Sequence, residues 1–115
     1  MKKHKISPEK LTFKSIFAIL NEDYKLELSE ESKQMIVKCR QYLDDKMKSQ
    51  DEPIYGINTG FGSLCDVQIS KEELSTLQSN LVKSHACGIG DEVPQEIVKL
   101  MLLLKVQSLS YGHSG

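Results

Sequence analysis

Ile97-Val98-Lys99-Leu100-Met101-Leu102-Leu103-Leu104 is apolar almost all the way round. Pro94 opens the helix that carries this run, because proline's fixed φ and missing N–H suit a first helical position. The pattern continues to about Tyr111. A helix apolar on every face is stable only when it is covered on every face. Three short amphipathic helices are legible elsewhere in the chain, and they can hardly wrap it. A central helix in a small bundle is one solution. The size of the chain favours another, in which part of the core lies outside these residues or partner chains supply it.

Thr12 predicts the first helix, running through Leu20 with Phe13, Ile16, Phe17 and Leu20 on one face. Ser7-Pro8-Glu9 offers an alternative start. Ser29, with Glu30 and Glu31 in the first turn, opens the second, where Ile36, Cys39, Leu43 and Met47 step by three and four. Ser70-x-x-Glu73 reads as a capping box, with Ile69 placed to staple onto Leu74, and Leu74, Leu77, Leu81 and Val82 make the apolar side of the third.

Charge divides the chain. Residues 1–52 carry 21 charged side chains, against 10 in residues 53–115, while five of the seven glycines fall between Gly56 and Gly90. The first half reads as a solvated helical coat, and the second as a glycine-bearing site followed by something buried. The 115 residues suit one modest domain, and the net charge is −1. That balance argues against nucleic acid as a partner and gives no pull toward anionic membranes. The longest apolar stretch is too short to span a bilayer. Cys39, Cys65 and Cys87 are odd in number and widely spaced, which fits reduced thiols. With no apolar run after the charged start at Met1 to Lys5, the expected location is the cytoplasm.

Between the second and third helices lies Pro53-Ile54-Tyr55-Gly56-Ile57-Asn58-Thr59-Gly60-Phe61-Gly62-Ser63. Its glycines lack the spacing of a Walker loop or a dinucleotide fingerprint. On glycine spacing alone, a phosphate cradle and a mobile surface loop both remain open. Tyr55 adds chemistry. A phenol with a pKa near 10 is a poor base at neutral pH. Neighbours that stabilise the phenolate make it able to take a weakly acidic proton, and a glycine-flanked loop can carry it over a substrate and exclude water.

Ser84-His85-Ala86-Cys87-Gly88-Ile89-Gly90 ends the third helix, with Gly88 as its expected breaker. His85 suits either a cap at the helix C-terminus or a binding or acid–base role. His85-x-Cys87 offers two metal ligands at most, which is a weak metal site.

These residues carry a resemblance. Tyr55-Gly56-Ile57-Asn58-Thr59-Gly60-Phe61-Gly62 resembles the signature loop of the aromatic amino acid ammonia-lyases. Leu77 to Gly90 resembles the family's next block, and Leu104 to Gly115 the block after it. Order and spacing are similar to the N-terminal part of the histidine-specific members. The resemblance implies a mainly α fold. Residues 1–115 are then a single N-terminal portion of the all-helical, fumarase/aspartase-like architecture, with a glycine-rich tyrosine loop. Four subunits share the helical core in this family, so other lyase subunits are expected partners, as a homotetramer.

The implied reaction is elimination of ammonia from L-histidine or another aromatic amino acid, giving trans-urocanate from histidine. By resemblance, Tyr55 matches the loop base or proton relay. Gly62 matches a backbone position against the substrate, and His85 the residue that reads the substrate's side chain. Gly56, Asn58 and Gly60 form the loop. The Ser84-His85 pair leans toward histidine, with tyrosine as runner-up. The implied cofactor is methylidene-imidazolone, made by cyclising an internal Ala-Ser-Gly, with no metal. No Ala-Ser-Gly occurs in these residues, and Gln107 stands where the family pattern leads us to expect Asn. The chain is therefore expected to be inactive by itself, as a fragment of a lyase. The alternative is a truncated, non-enzymatic helical module that binds a full-length lyase subunit.

Overall fold

The computed structural model describes residues 1–114. The chain divides into two compact units, residues 1–46 with 92–115, and residues 47–91.

The first unit opens with a feature absent from the helical expectation. Strand β1 (Lys2–Ile6) pairs in parallel with β2 (Tyr24–Leu28), in register from Lys2 opposite Tyr24 to Ile6 opposite Leu28. Helix α1 (Phe13–Asn21) is the crossover between them, as a parallel pair requires. Thr12 caps α1 as expected. Its hydroxyl accepts from the Ser15 N–H at 3.1 Å, and the Ser15 hydroxyl accepts from the Thr12 N–H at 2.9 Å. Ile6 is buried at the end of β1. Lys3 pairs across the strands with Glu27 at 2.9 Å, and Lys2 pairs with Glu22 at the end of α1. The hydrogen bond from Lys3 holds the Glu27 carboxyl below its ordinary value of 4.5. The hydrogen bond to Glu22, with its charge, raises the Lys2 ammonium above 10.5.

Helix α2 (Glu30–Ser49) starts where Ser29 predicts, and the Ser29 hydroxyl accepts from the Ser32 N–H at 3.1 Å. Helix α4 (Gln95–Leu109) follows Pro94. Only Leu103 and Gln107 are buried along it, while Met101 and Leu102 are each more than 60% exposed. The buried hydrophobic residues among those described are Ile6, Leu43 and Leu103. Such a core is small for the apolar surface α4 presents. The Gln107 amide fastens the opposite end of the sequence, donating to the carbonyls of Ser7 at 2.8 Å and Glu9 at 3.3 Å.

The second unit holds the glycine-rich loop and α3 (Leu74–His85). Two expectations at the ends of α3 are corrected here. The Ser70 capping box does not close on the backbone. A 3₁₀ turn over Lys71–Glu73 intervenes, and the Ser70 hydroxyl faces the Glu73 carboxylate at 3.3 Å. The Glu73 N–H is already bonded to the Ser70 carbonyl, so the side chain has no free donor there to cap. Gly88 does not break the helix in a left-handed conformation. The helix ends three residues after Val82, where the Ala86 N–H is shared between the carbonyls of Val82 and Lys83.

Candidate functional site

The loop between α2 and α3 has a wired base and a bare tip. Asn58 is the hub of the base. Its side-chain carbonyl accepts from the Ile54 N–H at 2.6 Å, its amide donates to the Glu52 carbonyl at 3.4 Å, and its backbone carbonyl accepts from the Ile69 N–H at 2.8 Å. The side chain makes the first two bonds because Asn offers an acceptor and two donors, and the third uses the backbone that every residue has. Thr59 is 1% exposed. Its hydroxyl accepts from the Gly56 N–H at 3.3 Å and donates to the Gly60 carbonyl at 2.8 Å. The Gly60 N–H completes the base by donating to the Val67 carbonyl at 2.9 Å, beside the antiparallel bridge of Thr59 with Gln68.

The glycines do different work. Gly56 and Gly62 have φ of +76° and +57°, a region costly to residues with a Cβ. Gly60 has no such φ, but a Cβ there would lie 2.6 Å from the Leu64 carbonyl oxygen. Its lack of a side chain permits the 3₁₀ turn of Gly62–Leu64 to fold back against it.

Tyr55 stands on this base and is 65% exposed. Its ring meets Phe61 edge-on, with centroids 6.1 Å apart and planes at 72°, a favoured aromatic geometry. Its hydroxyl makes no hydrogen bond among the described residues. Gly62 is exposed, with open space where a Cβ would stand. A recess of about 350 Å³ is lined by Asn58 with Met47, Gln68, Lys71 and Leu74 among others, and Tyr55 is not part of it.

His85 is the last residue of α3 and exposed. Its Nδ1 lies 2.9 Å from the Leu81 carbonyl and 3.0 Å from the Ser84 hydroxyl. No hydrogen bond or ring contact joins it to the tyrosine loop among the described residues. The structure therefore gathers Tyr55, Gly56, Asn58, Gly60 and Gly62 into one loop and leaves His85 on a separate helix end. Thr59 and Phe61 also support Tyr55, and sequence reasoning did not single them out. A small hydroxyl residue between Asn and Gly was the available signal for a buried turn. Among the described residues, no group of three or more His, Cys, Asp or Glu side chains is placed to hold a metal ion.

This loop, seated between helices in a mainly helical chain, defines a class. The family model of the aromatic amino acid lyases matches residues 11–115, and the chain belongs to that family. A histidine ammonia-lyase of Clostridium tetani is 42% identical over 105 residues, covering 91% of this chain and 20% of its own length. The solved histidine ammonia-lyase of Trypanosoma cruzi superposes with a TM-score of 0.80 at 32% identity, covering 99% of this chain and 22% of its own. Ergothionase of Treponema denticola, an ergothioneine-degrading enzyme, gives a TM-score of 0.88 at 26% identity over 97% of this chain and 22% of its own. The chain spans about a fifth of the length of the curated relatives it matches.

Proposed function

We propose that these residues form the tyrosine-loop segment of a histidine ammonia-lyase, which eliminates ammonia from L-histidine to give trans-urocanate. The observation that carries this reading is the similarity to histidine ammonia-lyases across both the Tyr55 loop and the His85 turn. The geometry supports it: the loop's hydrogen bonds are spent at Asn58, Thr59 and Gly60, which leaves the Tyr55 hydroxyl free for a substrate.

In this reading Tyr55 takes or relays the β-proton. Its phenol needs a cation or hydrogen-bond donors to work near neutral pH, and residues outside those described here supply them. Gly62 brings backbone against the substrate without a side chain in the way. Gly56, Asn58 and Gly60 hold the loop's shape. His85 meets the ring of the amino acid, where a buried polar ring end left unpaired would be costly. The family's methylidene-imidazolone supplies an electrophile for loss of the amino group. It forms from Ala-Ser-Gly, a triplet that residues 1–115 do not contain. These residues do not fit it as its source, and they contribute only binding and proton chemistry. A homotetramer in the cytoplasm, with the subunits covering α4, completes the proposal.

The test is urocanate formation followed by absorbance. The 115 residues alone, given L-histidine, are expected to form none. Combined with the chain that carries Ala-Ser-Gly, they are expected to support turnover. Turnover by the 115 residues alone overturns the reading, and so does a combined protein that acts on L-tyrosine and ignores L-histidine.

A further inference from the structure

We infer that Leu81 and Ser84 fix His85 in one tautomer, with the proton on Nδ1 and a bare Nε2 facing outward as a hydrogen-bond acceptor. The Leu81 carbonyl decides which nitrogen carries the proton. A carbonyl oxygen can only accept. It lies 2.9 Å from Nδ1, within its own helix and one turn back. An unprotonated Nδ1 would set two lone pairs against each other at that distance, so the proton sits on Nδ1.

Ser84 reinforces the choice. Its hydroxyl hydrogen is committed to the same carbonyl, with Oγ to O at 2.7 Å. The lone pairs of Oγ are then turned toward Nδ1, 3.0 Å away. Both neighbours of Nδ1 are acceptors in this arrangement, and both favour N–H there. Free histidine prefers the opposite form, with the proton on Nε2, so the helix end reverses an intrinsic preference. Nε2 itself makes no hydrogen bond among the described residues.

The chemical consequence concerns the ligand. A bare Nε2 accepts, so the group it takes must carry an N–H or O–H donor at its ring end, as a neutral imidazole or a phenol does and a phenyl does not. Ser84 is a positioning residue in this scheme, acting through His85. The inference about the ligand rests on the reading of His85 as the residue that meets the substrate ring.

The experiment is ¹⁵N spectroscopy of the intact chain labelled at histidine, well above pH about 6.5 so that imidazoles are neutral. His85→Gln identifies the His85 signals among the three histidines. The expected result is a bare-nitrogen shift at Nε2 and an N–H shift at Nδ1, with Nδ1–H the majority form, because the two acceptors at Nδ1 each shift the ratio by about fivefold, the effect of one ordinary hydrogen bond, against the intrinsic preference. A majority of Nε2–H, or an even mixture, overturns the inference. Ser84→Ala is expected to lower the excess severalfold and Ser84→Thr to restore it, with helix content by circular dichroism unchanged. An unchanged ratio in Ser84→Ala overturns the role of Ser84. The underlying functional reading fails separately. If the tautomer is as inferred, yet His85→Phe in the active lyase leaves the preference for L-histidine over L-phenylalanine unchanged, His85 is not the residue that meets the ring.

Discussion

Helix α4 and the loop from Pro53 to Ile69 are held by opposite means. α4 has an almost continuous apolar surface and buries Leu103 and Gln107 alone. The loop leaves Tyr55, Leu64 and Val67 exposed, yet it buries Thr59 and Gly60 and joins its two ends through Asn58 and Val67. Hydrogen bonds can keep such a loop in shape while its tip stays open, without a core. A helix such as α4 obtains stability mainly by removing its surface from water. Here most of that surface is exposed, so it adds little stability to the described residues.

The largest effect that would sharpen this contrast lies at the loop tip. Tyr55→Phe in the active lyase is expected to lower kcat by about 10²–10⁴-fold, the usual contribution of a positioned proton-transfer group. Because Tyr55 is exposed and bonded only through its ring contact, urea unfolding of the chain should be unaffected. An active Tyr55→Phe variant would break the reading of the tip as functional.

Next comes the helix. Leu103→Ala, at 2% exposure, is expected to destabilise the first unit by about 2–5 kcal/mol. Met101→Ser, at 62% exposure, is expected to change the stability of these 115 residues by no more than about 0.5 kcal/mol. Denaturant midpoints decide it. If the two substitutions cost the same, α4 is covered on the Met101 side as well, and the contrast with the loop disappears.

Asn58→Ala should then show what the wired base contributes. It removes a part-buried bond to Ile54 and an exposed one to Glu52, at a cost of about 0.5–1.5 kcal/mol. Hydrogen exchange at the Ile54 and Gly60 amides is the direct readout. Protection unchanged at both would mean that the base does not depend on its hub.

The smallest effect concerns the strand pair. Glu27 has its carboxyl lowered by Lys3, so the stability it adds is present above 4.5 and is lost as pH falls through its depressed folded value. Lys2 is raised by Glu22, so its contribution is full below 10.5 and is lost as pH rises through the elevated value. Both pairs are exposed and screened by salt, so the changes should be slight. A proton-sensitive amide signal at β1 that vanishes in Glu27→Gln would confirm the acid limb.

What could be read from the sequence was what neighbours in sequence decide. Thr12 and Ser29 cap helices through residues three positions on, while Pro94 stands at the N-cap of α4, one residue before the first helical position expected of it. The strand pair escaped notice because Lys2 to Ile6 finds its partner some twenty residues away, across α1. The alternation in Tyr24-Lys25-Leu26-Glu27-Leu28 was the available clue. Ser70 and Gly88 carried local signals that lost to competing backbone bonds. In the candidate site the glycines and Tyr55 were legible from their pattern. The division of labour was not: that Gly60 serves a close approach and Gly56 a left-handed turn depends on where Leu64 and Thr59 come to rest.

The amide of Gln107 has a consequence for how the molecule is made. It ties Ser7 and Glu9 to a residue about one hundred positions later in the chain. During synthesis the first strand and its crossover helix emerge early, but the bonds that fasten their connection arrive only when α4 has been translated. Contacts of such long sequence separation slow folding, and the strand edge stays exposed to other chains meanwhile. Among the described residues, the strand and crossover helix that come first are thus secured only after α4 has followed them.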